Sequence, residues 1–296
     1  MAGKVAAVVV AAGRGLRAGG DLPKQYRHVL GEPVIRSSLA LFARHDAISF
    51  VQPVIHPDDA ALFQAASAGL DLLPPVAGGA LRQASVRAGL EALQAHAPDL
   101  VLVHDAARPF ASHALVTRAI AAARASPAAV PVIGVADTVK TVDATGCVTD
   151  TIDRARVRLV QTPQAFGFAA LLEAHRRAKA AGRDDFSDDA ALAEWTGVKV
   201  GTFEGEAANV KLTTDDDFVR AETTRLAALG DVRTGFGFDV HQFGDGDHVM
   251  LGGVHLPPFP RSILGADRGY RKATAGPKLS TEATWPIGSY SAMSKG

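Results

Sequence analysis

Cysteine is almost absent from this chain, with one residue, Cys147, in 296. An intramolecular disulfide framework is therefore excluded, and the composition fits a reducing cytoplasm. A charge of one sign is lacking too, since Lys plus Arg and Asp plus Glu number 31 each. No overall field draws the chain to nucleic acid or a membrane surface, so an anionic ligand has to be held by a local cluster. No apolar run reaches the roughly 18 residues of a membrane span. The apolar start, Met1 to Ala12, has only Lys4 ahead of it and runs into Gly and Arg instead of a cleavage site, so it reads as a core strand and not as a secretory leader. The remainder is ordinary for a globular chain, with 47% hydrophobic and 21% charged residues in a length that suits one large domain or two smaller ones.

Apolar β-rich runs alternate with Ala-rich helical stretches. "VAAVVV", "ISFVQPVI", "DLVLVHD" and "AAVPVIGV" are separated by segments such as "EPVIRSSLALFARH" and "LRQASVRAGLEALQAH". This order predicts an α/β fold, a mostly parallel twisted sheet with flanking helices, whose ligands gather at the carboxyl ends of the strands. Pro53 within the second run implies an edge strand or a bulge. Val139 to Arg154 breaks the rhythm: it alternates with period two on both sides of "DATG" and so reads as a projecting β-hairpin arm. A two-stranded ribbon is marginal alone, which points to packing on a second subunit. "TTDDDFVRAETTRLAAL" opens with a capping signal, Thr213 to Asp216 or Thr214 to Asp217, and runs as a helix to Leu229, where Gly230 ends it and the first domain, 1–230. From 259 to 296 neither helical nor strand period survives, as in a disordered tail.

Glycines follow the first strand in "VVVAAGRGLRAGGDLPKQ", where backbone N–H groups approach a polyphosphate and nearby basic residues supply counter-charge. Gly13 to Ala18 also satisfies the looser dinucleotide fingerprint. That reading needs an acid where Pro33, Val34, Ile35 and Arg36 stand, and a helix where Gly19, Gly20 and Pro23 interrupt one. The Walker pattern fails because no Gly-Lys-Ser/Thr follows.

"AAGRGLR" followed by "PKQY", then "GGALRQASVRAGL", "VHDAARP", "ADTVK", "QTPQAF" and "NVKLTTDDD" in order resemble the 2-C-methyl-D-erythritol 4-phosphate cytidylyltransferases of non-mevalonate isoprenoid biosynthesis, over about residues 4 to 229. The resemblance implies a Rossmann-like nucleotidyltransferase fold and a Mg²⁺-dependent reaction of CTP with methylerythritol phosphate. Arg17 and Lys24 match the pair that binds the triphosphate and stabilises the transition state, with Arg154 and Lys211 completing the catalytic set. Ala11, Ala12, Gly13, Gly79, Ser85, Asp105 and Ala106 match the nucleotide site. Arg108, Thr138, Arg154, Thr162 and Lys211 match the erythritol-phosphate pocket, in which the family draws some residues, the hairpin Arg included, from the other subunit of a homodimer. Ser85 at a helix start also suits a cap, and both readings stand. His104 reads as structural, because a phosphate monoester is already ionised at neutral pH and needs no base. Ala80 and Leu81 stand where the family often carries a polar or acidic residue.

"RTGFGFDVHQFGDGDHVMLGGVHLPP" resembles the N-terminus of the 2-C-methyl-D-erythritol 2,4-cyclodiphosphate synthases, and residues 231–258 are assigned to such a fragment. Asp239 and His241 match two of that family's three Zn²⁺ ligands, and a D-x-H on a strand puts both side chains on one face. Only 62 residues follow Thr234 in a chain of 296, without the "HSDGD"-type segment that carries the third ligand, so the expectation is an incomplete zinc site and no cyclase activity. Two rival classes remain: a dinucleotide-dependent oxidoreductase, disfavoured by the missing ribose acid, and a non-catalytic nucleotidyltransferase-like module, which would have lost a basic residue among Arg17, Lys24, Arg154 and Lys211. None is lost.

Overall fold

The structure is a computed structural model in which residues 3–14, 22–228, 249–251 and 254–256 are described. The chain divides into two units between Asp231 and Val232.

In the first unit the strands are β1 (Val5–Ala11), β2 (His28–Val29), β3 (Glu32–Pro33), β4 (Phe50–Ile55), β5 (Val76–Ala77), β6 (Leu100–Asp105), β7 (Ala128–Gly134), β8 (Val139–Val142), β9 (Val148–Ile152), β10 (Arg158–Val160), β11 (Gln164–Gly167) and β12 (Val200–Glu204). The helices are α1 (Val34–Ala43), α2 (Ala60–Ser67), α3 (Arg82–Leu93), α4 (His113–Ala125), α5 (Phe168–Ala180), α6 (Asp189–Trp195) and α7 (Asp215–Ala228). The main sheet has the order β10-β7-β11-β6-β1-β4-β5, with β12 paired to β7. β5, β4, β1 and β6 are mutually parallel, β12 is parallel to β7, and β11 lies antiparallel to both β6 and β7. The mostly parallel sheet is thus as expected, and the reversed β11 is the feature that the apolar runs did not announce.

β1 shows why the runs are continuous rather than alternating. Val5, Ala7, Val9 and Ala11 pack with Ile35, Leu39 and Phe42 of α1 and Val116 and Ile120 of α4, while Ala6 and Val8 pack with Val86, Leu90 and Leu93 of α3 and Leu171 of α5. Both faces of the strand are covered, so both must be apolar. Gly89 lets α3 lie close to the sheet, since a Cβ there would come within 2.7 Å of Val8 Cγ1 and 2.8 Å of Val54 Cγ2.

Pro53 sits within β4, opposite Val9 of β1. The carbonyls of Val51 and Ile55 bond away from β1, to the N–H groups of Leu73 and Gly78, so by strand parity Pro53 directs its missing N–H to that same outer side. β4 is therefore not the edge strand that was expected, but β5 pairs only with Val54 and Ile55, so no ladder bond is asked of Pro53. Residues 34–36, where a dinucleotide fold would place a ribose acid after a second strand, form instead the first turn of α1.

β8 and β9 form a separate antiparallel ribbon, closed by Asp143, whose side chain accepts from the N–H groups of Thr145 and Cys147, and by Gly146 at φ +86°. This is the expected arm. α7 starts with the second of the two capping alternatives: Thr214 and Asp217 exchange side-chain to backbone hydrogen bonds. In the second unit the described elements are β13 (Val249–Leu251) and β14 (Val254–Leu256), an antiparallel pair. Arg17, Asp239, His241, Gly230 and the tail 259–296 lie outside the described residues.

Candidate active site

The carboxyl end of β1 is a wall of small residues. Ala11 and Ala12 are buried, and Gln25 donates from Nε2 to the carbonyls of Ala11 (2.7 Å) and Gly13 (3.1 Å). The buried Gln25 amide therefore stitches the returning chain to the strand end, and it places the neighbouring Lys24, half-buried in the short turn Lys24–Tyr26, beside that wall. Arg14 belongs elsewhere. Its guanidinium is held by Asp58 and Asp59 and lies 2.7 Å from His56 Nδ1, so of the three basic residues expected along this loop it is committed to carboxylates rather than to a phosphate.

A second segment closes on the first. Gly78 donates its N–H to Ile55 O at the end of β4, and a Cβ on Gly78 would lie 2.2 Å from Ala12 Cβ and 2.8 Å from Ser85 Oγ. Gly79 donates its N–H to Ser85 Oγ (3.1 Å), and that hydroxyl donates to Leu81 O (3.1 Å). Leu81, not Ser85, is the N-cap of α3, so Ser85 acts from inside the first turn to fold the glycine loop back over the helix. Ala12, Gly78, Gly79 and Ser85 are thus one surface, shaped for close backbone approach to a flat or anionic group.

Beside it, at the end of β6, stands Asp105. Lys211 Nζ is 2.6 Å from its Oδ2 and Arg82 Nε is 3.0 Å from its Oδ1. Burial by itself would raise this carboxyl, but the two cations outweigh it and hold it well below the usual carboxylate range. Arg82 reaches further, with Nη1 2.7 Å from Asp189 Oδ2, and Asp189 Oδ1 is 3.1 Å from His175 Nε2. Burial would raise the Asp189 carboxyl as well, and Arg82 and His175 bring it down. Arg82, Asp189 and His175 were not among the residues expected from sequence. Arg82 at least lies within the motif "GGALRQASVRAGL", whereas Asp189 and His175 stand in segments that carried no signal.

Under Asp105 lies a buried polar layer. Thr162 Oγ1 accepts the Asp105 N–H (3.2 Å) and lies 3.1 Å from His104 Nδ1, while His104 Nε2 faces Arg108 O at 3.2 Å. Burial pushes the His104 imidazole down to about 4, so the ring is neutral at physiological pH, as suits a structural residue. Thr162 is 5% exposed, so its hydroxyl supports the Asp105 backbone and does not open into a pocket. Arg108 donates from Nη1 to Asn209 O (2.7 Å), and Asn209 Nδ2 donates to Thr162 O (2.8 Å). Ala106 is buried, and its N–H donates to Val10 O.

The structure therefore brings Asp105, Ala106, Arg108, Thr162 and Lys211 together, and Ala12, Gly79 and Ser85 into an adjoining wall joined to them through Arg82. Thr138 and Arg154 are exposed at the foot of the arm, where Arg154 donates from Nη1 to Ala136 O. Among the described residues no group of three or more His, Cys, Asp or Glu is placed to hold a metal ion. A cavity of about 250 Å³ lined by Leu22, Tyr26, His28, Pro33, Leu62, Ala65 and Ala66 is apolar and contains none of these site residues, and we give the polar cluster priority over it on chemical grounds.

Among the described residues no helix is long and apolar enough to cross a membrane. The family model described as 2-C-methyl-D-erythritol 4-phosphate cytidylyltransferase (IspD) matches residues 5–225. A Nitrobacter hamburgensis protein named bifunctional enzyme IspD/IspF is 62% identical over 254 residues, which is 86% of this chain and 63% of that protein. A Rhodopseudomonas palustris protein of the same name matches to the same extent, so the chain spans less than two thirds of these relatives. A match over 254 residues of this chain ends no earlier than residue 254, and so extends past the first domain. Of the solved structures, the 4-diphosphocytidyl-2C-methyl-D-erythritol synthase of Anaerococcus prevotii is 32% identical with TM-score 0.68, covering 76% of this chain and 97% of its own. The 2-C-methyl-D-erythritol 4-phosphate cytidylyltransferase of Thermus thermophilus is 36% identical with TM-score 0.59, covering 74% and 98%. The mixed sheet and its flanking helices are thus the Rossmann-like nucleotidyltransferase fold.

Proposed function

The chain belongs to the 2-C-methyl-D-erythritol 4-phosphate cytidylyltransferase family, a family of nucleotidyltransferases, and from that membership we propose that it transfers a cytidylyl group from CTP to 2-C-methyl-D-erythritol 4-phosphate, releasing pyrophosphate. The observation that carries the reading is the ionised Asp105, held between Arg82 and Lys211 at the end of a central strand beside the wall of Ala12, Gly78 and Gly79. A phosphate oxygen of the acceptor attacks the α-phosphorus in line. Because the acceptor is already an anion, the main obstacle is charge on the phosphoryl oxygens, and catalysis rests on positioning and electrostatics. Arg17 and Lys24 neutralise the triphosphate. Ala11, Ala12, Gly13 and Gly79 admit the nucleotide, and Ser85 shapes the loop that reads the base. Lys211 leaves Asp105 for the phosphate of the acceptor, with Arg108, Thr138 and Arg154 around it and Thr162 beneath, holding the Asp105 backbone.

Mg²⁺ is the proposed cofactor. A single carboxylate suffices for it, since Mg²⁺ is commonly held by one or two carboxylates together with substrate phosphates, and Asp105 is the carboxylate present. Bound there, the ion would offset charge on the phosphates. The arm implies a homodimer: Val142, Val148 and Ile152 on it are exposed apolar side chains that a second copy would cover. Such a partner would also bring Arg154 and Thr138 to a neighbouring site. We place the protein in the cytoplasm on its single cysteine. Residues 231–258 are read as the opening of a cyclodiphosphate synthase domain, with Asp239 and His241 as two of the three ligands of a Zn²⁺ site that is incomplete in this sequence; the support for the domain is the length of the match to bifunctional relatives.

Pyrophosphate release is to be measured with methylerythritol phosphate and each of the four nucleoside triphosphates, for the wild type and Lys24→Ala. CTP should be preferred, and Lys24→Ala should lose at least ~10²-fold in turnover, the usual scale for a charge-stabilising donor. No release with CTP, or an unaffected Lys24→Ala, refutes the reading.

A further inference from the structure

Arg82 is shared between two carboxylates, and only one of them faces the proposed reaction. Its Nε holds Asp105 Oδ1 at 3.0 Å, while its Nη1 holds Asp189 Oδ2 at 2.7 Å. Asp189 is 1% exposed and opens α6. The helix start is pinned to the sheet by Gln164, which donates from Nε2 to Asp188 Oδ2 (2.7 Å) and accepts the Ala190 N–H at Oε1 (3.2 Å). Behind Asp189 the buried His175 supplies Nε2 to Oδ1 at 3.1 Å. A carboxylate taken so fully out of water is costly unless it is fully engaged. Both oxygens of Asp189 are engaged, and neither bond is to substrate-facing atoms.

Arg82 meets the two carboxylates on different sides of its guanidinium, Asp105 at Nε and Asp189 at Nη1, and both are charge-assisted hydrogen bonds. Asp189, itself buried, thus fixes the guanidinium from the side away from Asp105. Asp105 then keeps one oxygen on Arg82 and presents the other to Lys211. Resting on the cytidylyltransferase reading, we propose that Asp189, braced by His175, is a positioning residue: by anchoring Arg82 it sets the orientation of Asp105.

The test is a double-mutant cycle of Arg82→Ala and Asp189→Asn, read by kcat and KM for CTP on protein shown by circular dichroism to be folded. The side-chain Nε–H resonance of Arg82 is followed by ¹⁵N NMR in parallel. Asp189→Asn should lower kcat ~10- to 100-fold, the scale of a misplaced reacting group. It should alter KM far less, shift the Arg82 resonance, and add under about twofold in the Arg82→Ala background, since a residue acting through Arg82 has no further effect once Arg82 is gone. The proposal is overturned by kcat within about twofold of wild type, by an unmoved Arg82 resonance, or by the same factor lost with and without Arg82. If Asp189→Asn fails to fold, His175→Gln is held to the same criteria, with a smaller loss of kcat expected. A wild type that releases no pyrophosphate from CTP refutes the functional reading alone, and the Arg82 resonance then decides the positioning claim.

Discussion

Gly78→Ala probes the meeting of the two loops that form the proposed nucleotide wall. The new Cβ would lie 2.2 Å from Ala12 Cβ, and moving it out to the 3.4 Å of an ordinary contact needs a shift of about 1.2 Å. Ala12 offers no side-chain rotation that relieves the overlap, so the backbone at residue 78 must give. It is tied by its N–H to Ile55 O at 2.8 Å, and a displacement of that size away from β4 breaks the bond. Overpacking costs about 1–3 kcal/mol and the hydrogen bond about 1 kcal/mol more. In a domain of this size each kcal/mol lowers Tm by roughly 2–4 °C, so a fall of about 4–16 °C is expected, together with at least a tenfold loss of kcat/KM for CTP. Gly13→Ala is the control: a Cβ there meets nothing within 4 Å, so Tm should hold while CTP binding weakens. Scanning calorimetry and steady-state kinetics read both. An unchanged Tm for Gly78→Ala would refute the close contact. A lowered Tm with unchanged CTP kinetics would refute the placement of the nucleotide on this wall.

Thr162→Val leaves the Asp105 N–H and His104 Nδ1 without their shared hydroxyl in a buried layer, and chemical denaturation should show a loss of about 2–4 kcal/mol, with activity falling as Asp105 loses its seat. The Asp217 carboxyl lies at about 2 against an ordinary 3.8: burial raises it, and the bonds from Thr213 and Thr214 outweigh that and lower it. A depressed pKa stabilises above the unfolded value and is lost as pH falls from 3.8 through about 2. Asp217→Asn should therefore cost about 1 kcal/mol at pH 7, with the gap to wild type closing across that acid window in urea titrations at stepped pH. Val148→Asp places a charge on an exposed apolar position of the arm and should shift the mass seen by light scattering from dimer to monomer; a dimer that persists would remove the arm as its interface.

Much of the architecture was legible because its causes are local. Strands covered on both faces must be continuously apolar, which marked β1, β4, β6 and β7. The period-two segments around "DATG" marked the arm, and Pro53 marked a strand side with little pairing. The reversed β11 was not legible, because four residues carry no sign of strand direction.

For the site, sequence by itself determined which chemistry-bearing residues exist: a small-residue wall at Ala11, Ala12 and Gly13, an acid at the end of β6, and lysines at 24 and 211. The partner of each was decided by tertiary structure. Lys211 meets Asp105 across 106 positions and Arg82 meets Asp189 across 107, separations at which local pattern carries no information. Likewise Thr162 turns its hydroxyl inward to Asp105, Arg14 is drawn off to Asp58 and Asp59, and Gly78 must be glycine because Ala12, from another loop, occupies the space of its Cβ. Residue type sets what a group can bond to, but only the strand order sets which groups come within the 3 Å where bonding happens.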